Sequence, residues 1–168
     1  MGLIPMLMLL FSLTSVAQKT NTAALDMNDR LVSITDSLYA KGQRWGEAFN
    51  KFYNNKEFSK LAPYRKEVQT YIDQQLTKVG VMKDVGGSED LRAAMIKFLL
   101  YERDMVANHF VPIEKLNTSS TDDQIKAEID SLTKAAEKEA EALKAVNDAQ
   151  EAYAAKNGFT IESAKEED

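Results

Sequence analysis

The chain has 168 residues, a formal net charge of −5, three Pro, seven Gly and no Cys. The missing Cys excludes a disulfide framework, a thiol nucleophile, a covalently attached c-type haem and a lipid-modified N-terminal Cys. The acidic balance, with no basic run to neutralise phosphates, argues against nucleic acid as a partner.

Residues 1–17, MGLIPMLMLLFSLTSVA, form an apolar run from Leu3 to Leu13 that closes on the small residues Ser15 and Ala17. That pattern predicts a signal peptide cleaved before Gln18. The run is shorter than the ~20 apolar residues that a permanent membrane-spanning helix needs, so no transmembrane anchor is expected in the mature chain. Met1 to Pro5 carries no Lys or Arg. Export leaders normally open on positive charge, which points to a start upstream of Met1. Residues 18–159 are then expected to form one domain and residues 160–168 an acidic tail. The expected address is outside the cytoplasm, either periplasmic or at the cell surface.

Helix is favoured throughout by abundant Ala, Leu, Lys and Glu. In the first segment Met27, Leu31, Ile34, Leu38, Trp45, Phe49 and Phe52 recur at helical intervals from about Thr22 to Asn54. Gly42 and Gly46 interrupt its propensity and suggest a bend or a close helix crossing. A turn is expected at Asn54-Asn55-Lys56. The second segment carries Phe58, Leu61, Val68, Ile72, Leu76 and Val79, with Pro63 placed in its first turn, and should end near Asp84 before Gly86-Gly87. Ser88 is the expected N-cap of a third helix, followed by Glu89 and Asp90, whose charges favour a helix start. Leu91, Met95, Phe98, Val106 and Phe110 form its apolar face, and Pro112 should kink or end it.

Asn117-Thr118-Ser119-Ser120 reads as a loop. Thr121 and Gln124 then form a capping box for a fourth helix, with Ile125, Ile129, Leu132, Ala136, Leu143, Val146 and Tyr153 on its seam. Asn157-Gly158 supplies a left-handed C-cap, over which Phe159 folds back. Four long amphipathic helices joined by short turns predict an all-α, antiparallel up-down-up-down four-helix bundle. A dimer of helical hairpins is the architectural rival.

The ligand inventory is thin. His109 is the only histidine and Val106 stands three residues before it, so the Glu-x-x-His pairs of a two-metal bundle are missing. Haem would need His109 opposite Met27 or Met82. A Ser-His-Asp triad would also depend on His109, and no G-x-S-x-G elbow accompanies any serine. No cofactor, no metal and no catalytic residues are therefore expected, and His109 reads as a cap or a partly exposed residue near Pro112.

Two candidate binding regions remain. Trp45, Phe49, Phe52, Tyr53, Phe58 and Tyr64 crowd the turn between the first two helices; exposed, they would form a platform for a protein or a glycan, and buried, they would close one end of the core. Glu139 and Gln150 fall in the apolar seam of the fourth helix, where they either line a polar pocket for a small ligand or splay toward solvent. Asp36-Ser37-Leu38 and Asp130-Ser131-Leu132 match a short O-glycosylation pattern of some bacterial envelopes, making Ser37 and Ser131 candidate acceptors. Asn117-Thr118-Ser119 is a formal N-glycosylation sequon.

The leader, the opening Met27-Asn28-Asp29-Arg30-Leu31-Val32, the middle Ser88-Glu89-Asp90-Leu91-Arg92 and the close Tyr153-Ala154-Ala155-Lys156-Asn157-Gly158-Phe159 together resemble a family of uncharacterised bacterial exported, surface-type helical-bundle proteins. That resemblance implies a helical bundle in the envelope and brings no catalytic residues with it. The two functional expectations are a non-enzymatic envelope protein binding a protein or glycan partner, and a small-ligand carrier or sensor with a pocket between its helices.

Overall fold

The computed structural model describes residues 21–161. The leader at 1–17 and the acidic end at 162–168 lie outside the described residues. All elements among the described residues are helical.

Helix α1, Thr22–Tyr53, starts where expected because the Asn21 side chain accepts from the Ala24 amide at 3.2 Å. Its 32 residues extend for roughly 48 Å at 1.5 Å per residue. Neither glycine marks a close crossing, since a Cβ at Gly42 or Gly46 would meet nothing within 4 Å. After the turn, where Lys56 takes a positive φ of 52°, a single 3₁₀ turn at Phe58–Leu61 leads into α2, Ala62–Gly80. Pro63 sits in the first turn of α2, where its missing amide has no intrahelical role. Helix α2 ends at Gly80, short of the expected Asp84. The next residue, Val81, is exposed, so continuing the helix would bury no further apolar side chain there.

The loop that follows turns on Gly86 and Gly87, at φ 60° and 71°. Ser88 stands at the N-cap position of α3, Glu89–Met105, but its hydroxyl does not cap the helix. It donates instead to Asp84 Oδ1 at 3.0 Å and accepts from the Val85 amide at 3.2 Å, tying the loop to itself. Pro112 neither kinks nor ends the third helix in the simple sense expected. A π turn at Val106–Phe110 precedes it, with the Val111 amide donating to the Val106 carbonyl five residues back. Pro112 thereby falls in the first turn of the short α4, Val111–Lys115, where no donor is required.

Helix α5, Asp122–Asn157, opens on the expected capping box, with the Thr121 hydroxyl accepting from the Gln124 amide and the Gln124 side chain accepting from the Thr121 amide. It closes on Gly158 at φ 72°, and the Phe159 ring packs edge-on against Tyr153. Ala135 rather than Ala136 lies in its buried seam. Ile125, Leu132, Val146 and Tyr153 share one seven-residue register, and Ala135, three residues after Leu132, keeps that register facing α3.

The four long helices form a bundle in which α3 packs on both α2 and α5, and α1 packs on α2 and α5. Its core includes Leu31, Phe58, Leu61, Ile72, Leu91, Met95, Leu99 and Ile113, each at most 2% exposed. At one point three separated parts of the chain are tied together. The Asn157 side chain donates to the Gly86 carbonyl at 3.1 Å and the Tyr153 carbonyl at 2.9 Å, and accepts from Asn21 Nδ2 at 3.1 Å. The Tyr153 hydroxyl donates to the Val85 carbonyl at 2.8 Å.

Candidate functional site

The aromatic turn is mostly core. Trp45 and Phe58 are buried, at 5% and 0% exposure, and Phe49, Phe52 and Tyr64 pack half-buried against the same cluster. Of the six, Tyr53 alone is exposed, at 41%. Their rings serve one another: Trp45 stacks on Phe49 at 5.6 Å, and Phe58 lies 5.9 Å from Phe49 and 6.1 Å from Tyr53. Of the two readings of this cluster the burial agrees with closure of the core, since reaching Trp45 or Phe58 would require opening this part of the bundle.

A cavity of about 820 Å³ lies instead between α1, α3 and α5, within the size range of small-molecule sites. Its walls are apolar over the larger part of their area, with Thr35, Gln43, Asn147 and Gln150 among the polar residues that complete them. Leu31 and Leu38 come from α1, Leu91, Met95 and Phe98 from α3, and Leu143 and Val146 from α5, with Phe110 of the π turn beside them. Phe110 in turn stacks on Trp45 with ring centroids 3.9 Å apart, which links the chain's single tryptophan to the cavity wall.

Glu139 and Gln150, singled out from the seam of the fourth helix, both line this cavity and are half-buried. Between α3 and α5, Glu139 meets a residue that the sequence reading passed over. Glu102 is 7% exposed, and its Oε1 is buried without a hydrogen-bond partner. Burial, reinforced by the charge of Glu139 and by a hydrogen bond with it, pushes the Glu102 carboxyl up to about 8. At neutral pH the pair therefore holds a proton. The neighbouring Tyr101 phenol, whose hydroxyl donates to the Ala135 carbonyl at 2.6 Å, is raised by its own burial and then by Glu139 and Glu102.

A signal for Glu102 was present in the chain. It continues the spacing Leu91, Met95, Phe98, Met105 as though it were apolar, and Glu139 continues the seven-residue register of Ile125, Leu132, Val146 and Tyr153. Two carboxyls standing in apolar stripes of different helices need a reason for their burial.

The remaining candidates lie elsewhere. Ser37 is half-buried on α1. Ser131 is half-buried on α5, with its hydroxyl 3.1 Å from Nδ1 of His109, which sits in the π turn. Among the described residues no group of three or more His, Asp or Glu is placed to hold a metal ion, and no helix is long and apolar enough to cross a membrane.

Comparison with protein-family models, curated proteins and solved structures gives no match, so the functional reading rests on the cavity itself.

Proposed function

We propose that this protein is an exported, non-enzymatic helical bundle that carries or senses a small molecule bound between its helices. The observation that carries the reading is the cavity: about 820 Å³, largely apolar on its walls, and lined by the buried Glu102 and the half-buried Glu139. The space opens to solvent, and apolar wall left facing water costs free energy that an apolar occupant recovers. The buried Glu102 carboxyl raises the cost further. Both features make sense as a site built for an occupant.

The export half of the reading rests on residues 1–17 and on the resemblance noted above. The helices are read as running up-down-up-down. In support, Asn21 at the start of α1, Gly86 before α3 and Asn157 at the end of α5 bond to one another, while Lys56 after α1 reaches the Ser120 carbonyl at 3.0 Å and Asp122 at 2.9 Å before and at the start of α5.

The test uses N-phenyl-1-naphthylamine, an uncharged fluorophore that brightens in apolar surroundings. Saturable one-to-one binding is expected for the wild-type protein. Gly42 lines the cavity with open space around its Cβ direction, so Gly42→Leu should narrow the cavity and weaken binding while the helix itself gains about 0.5–1 kcal/mol. Equal probe binding by the variant, or none by the wild type, would sink the proposal.

A further inference from the structure

We propose that the occupant is an organic cation: an amine or quaternary ammonium on an apolar body, its charged head held between Glu102 and Glu139. This rests on the cavity being a binding site and adds the chemistry of the ligand.

The first support is the sign of the charges. Asp36 of α1, Glu102 of α3, and Glu139 and Glu151 of α5 are the charged side chains that line the cavity. Among the described residues no Lys or Arg does so. The contribution of α2 is Val68, and that of the π turn is Phe110. Asp36 and Glu151 are exposed at the rim, so the opening attracts cations before the interior receives them.

The second is the unsatisfied oxygen. Glu102 Oε1 lies buried and without a protein hydrogen-bond partner beside a second carboxyl, an arrangement that costs free energy unless a donor reaches it. A donor carrying positive charge relieves both the missing hydrogen bond of Oε1 and the uncompensated negative charge that the pair carries with or without its proton. An alcohol relieves only the first. A carboxylate ligand worsens the second.

The third is the wall. A divalent metal ion prefers about six oxygen ligands, and although Thr35, Asn147 and Gln150 also line the cavity, no three carboxylates or His among the described residues are placed to hold one. Phe98 and Phe110 present aromatic rings, which suit an alkylammonium better than a hydrated ion. The volume and the hydrocarbon lining ask for an apolar body attached to the cation.

Proton release follows from the same geometry. A cation seated against the pair favours its ionised form, so binding at neutral pH expels the proton held by Glu102. The affinity for the cation should therefore rise with pH until the pair is fully ionised. A neutral ligand should show no such rise.

The experiment titrates the full-length protein with octylamine, octan-1-ol and octanoate at neutral pH, read by Trp45 emission and by calorimetry in two buffers of different ionisation heat. Octylamine is expected to bind at least about tenfold more tightly than octan-1-ol, the equivalent of one charge-assisted hydrogen bond, with octanoate weakest. Its binding should release protons, and millimolar Ca²⁺ should not displace it. The double variant Glu102→Gln with Glu139→Gln, checked for helix content, should lose the preference while keeping its octan-1-ol affinity. Equal affinity for amine and alcohol, an unaltered preference in the double variant, or displacement by Ca²⁺ overturns the cation assignment and leaves the cavity reading standing. Failure of both octylamine and octan-1-ol to bind overturns the cavity reading as well.

Discussion

The carboxyls of Glu102 on α3 and Glu139 on α5 meet inside an apolar cavity, where Glu102 Oε1 has no hydrogen-bond partner. The arrangement is costly for Glu102, because its surroundings do not hydrate the ionised carboxyl and no Lys or Arg among the described residues lines the cavity to pair with it.

That cost has a pH signature. Glu102 ionises near its ordinary value of 4.5 in the unfolded chain and near about 8 in the folded one. Between those values the folded state holds a proton that the unfolded state has released, so stability falls as pH rises through that window and levels off above it. Glu57 and Glu67 shift the other way, held down by hydrogen bonds from Lys60 and Lys41, but they act only on the acid side of the carboxylate range and stand in water. Urea unfolding at a series of pH values should show the fall in the wild type. In Glu102→Gln the slope should be largely lost, and the variant should be the more stable protein at the alkaline end. An unchanged slope would mean that the two carboxyls do not meet.

Two glycines should respond in opposite directions. Gly86 has φ 60°, and a Cβ there would stand 2.3 Å from Asn157 Oδ1. Gly86→Ala therefore forces both a strained backbone and a broken contact with Asn157, and should cost more than about 1 kcal/mol. Gly46 lies within α1 with nothing within 4 Å of its Cβ direction, so Gly46→Ala should stabilise by about 0.5–1 kcal/mol. Thermal melts of the two variants, run side by side, check both signs.

Asn157 joins the start of α1 and the loop before α3 to the end of α5. Replacing it with Ala removes the hydrogen bonds to Asn21, Gly86 and Tyr153 made by its side chain. Loss of about 1–3 kcal/mol is expected, the cost of leaving such partners unsatisfied. Native-state hydrogen exchange should rise first in the amides around Asn21 and Gly86, before the centre of α3.

The ion pairs divide by burial. Arg65 on α2 donates through Nε to Glu114 on α4 at 2.5 Å, with side-chain exposures of 12% and 20%. It also donates to Gln69, so Arg65→Ala should cost about 1.5–3 kcal/mol. Lys144 and Asp148 are 72% and 60% exposed at one-turn spacing, and Lys144→Ala should stay within about 0.5 kcal/mol of wild type. Denaturant midpoints distinguish the two classes, and only the second should be sensitive to salt.

Much of this protein was decided within a few residues of sequence at a time. Asn21, the Thr121 and Gln124 pair, Pro63 and Gly158 set helix ends through contacts one turn away, and the apolar stripes chose which face of each helix is buried. These are local energies, so they are legible before the chain folds. Ser88 shows a limit within that local reading: its position at the start of α3 was readable, yet its hydroxyl turns back to Asp84, a competing acceptor four residues earlier. The candidate site shows a second limit, set by tertiary packing. That Glu139 and Gln150 interrupt a seam was visible in the sequence, whereas the cavity and the meeting of Glu139 with Glu102 depend on how α3 and α5 are rotated and offset against each other. Periodicity specifies a face only to within a residue or so, and a carboxyl contact needs ångström register, which the packing of the whole core alone supplies.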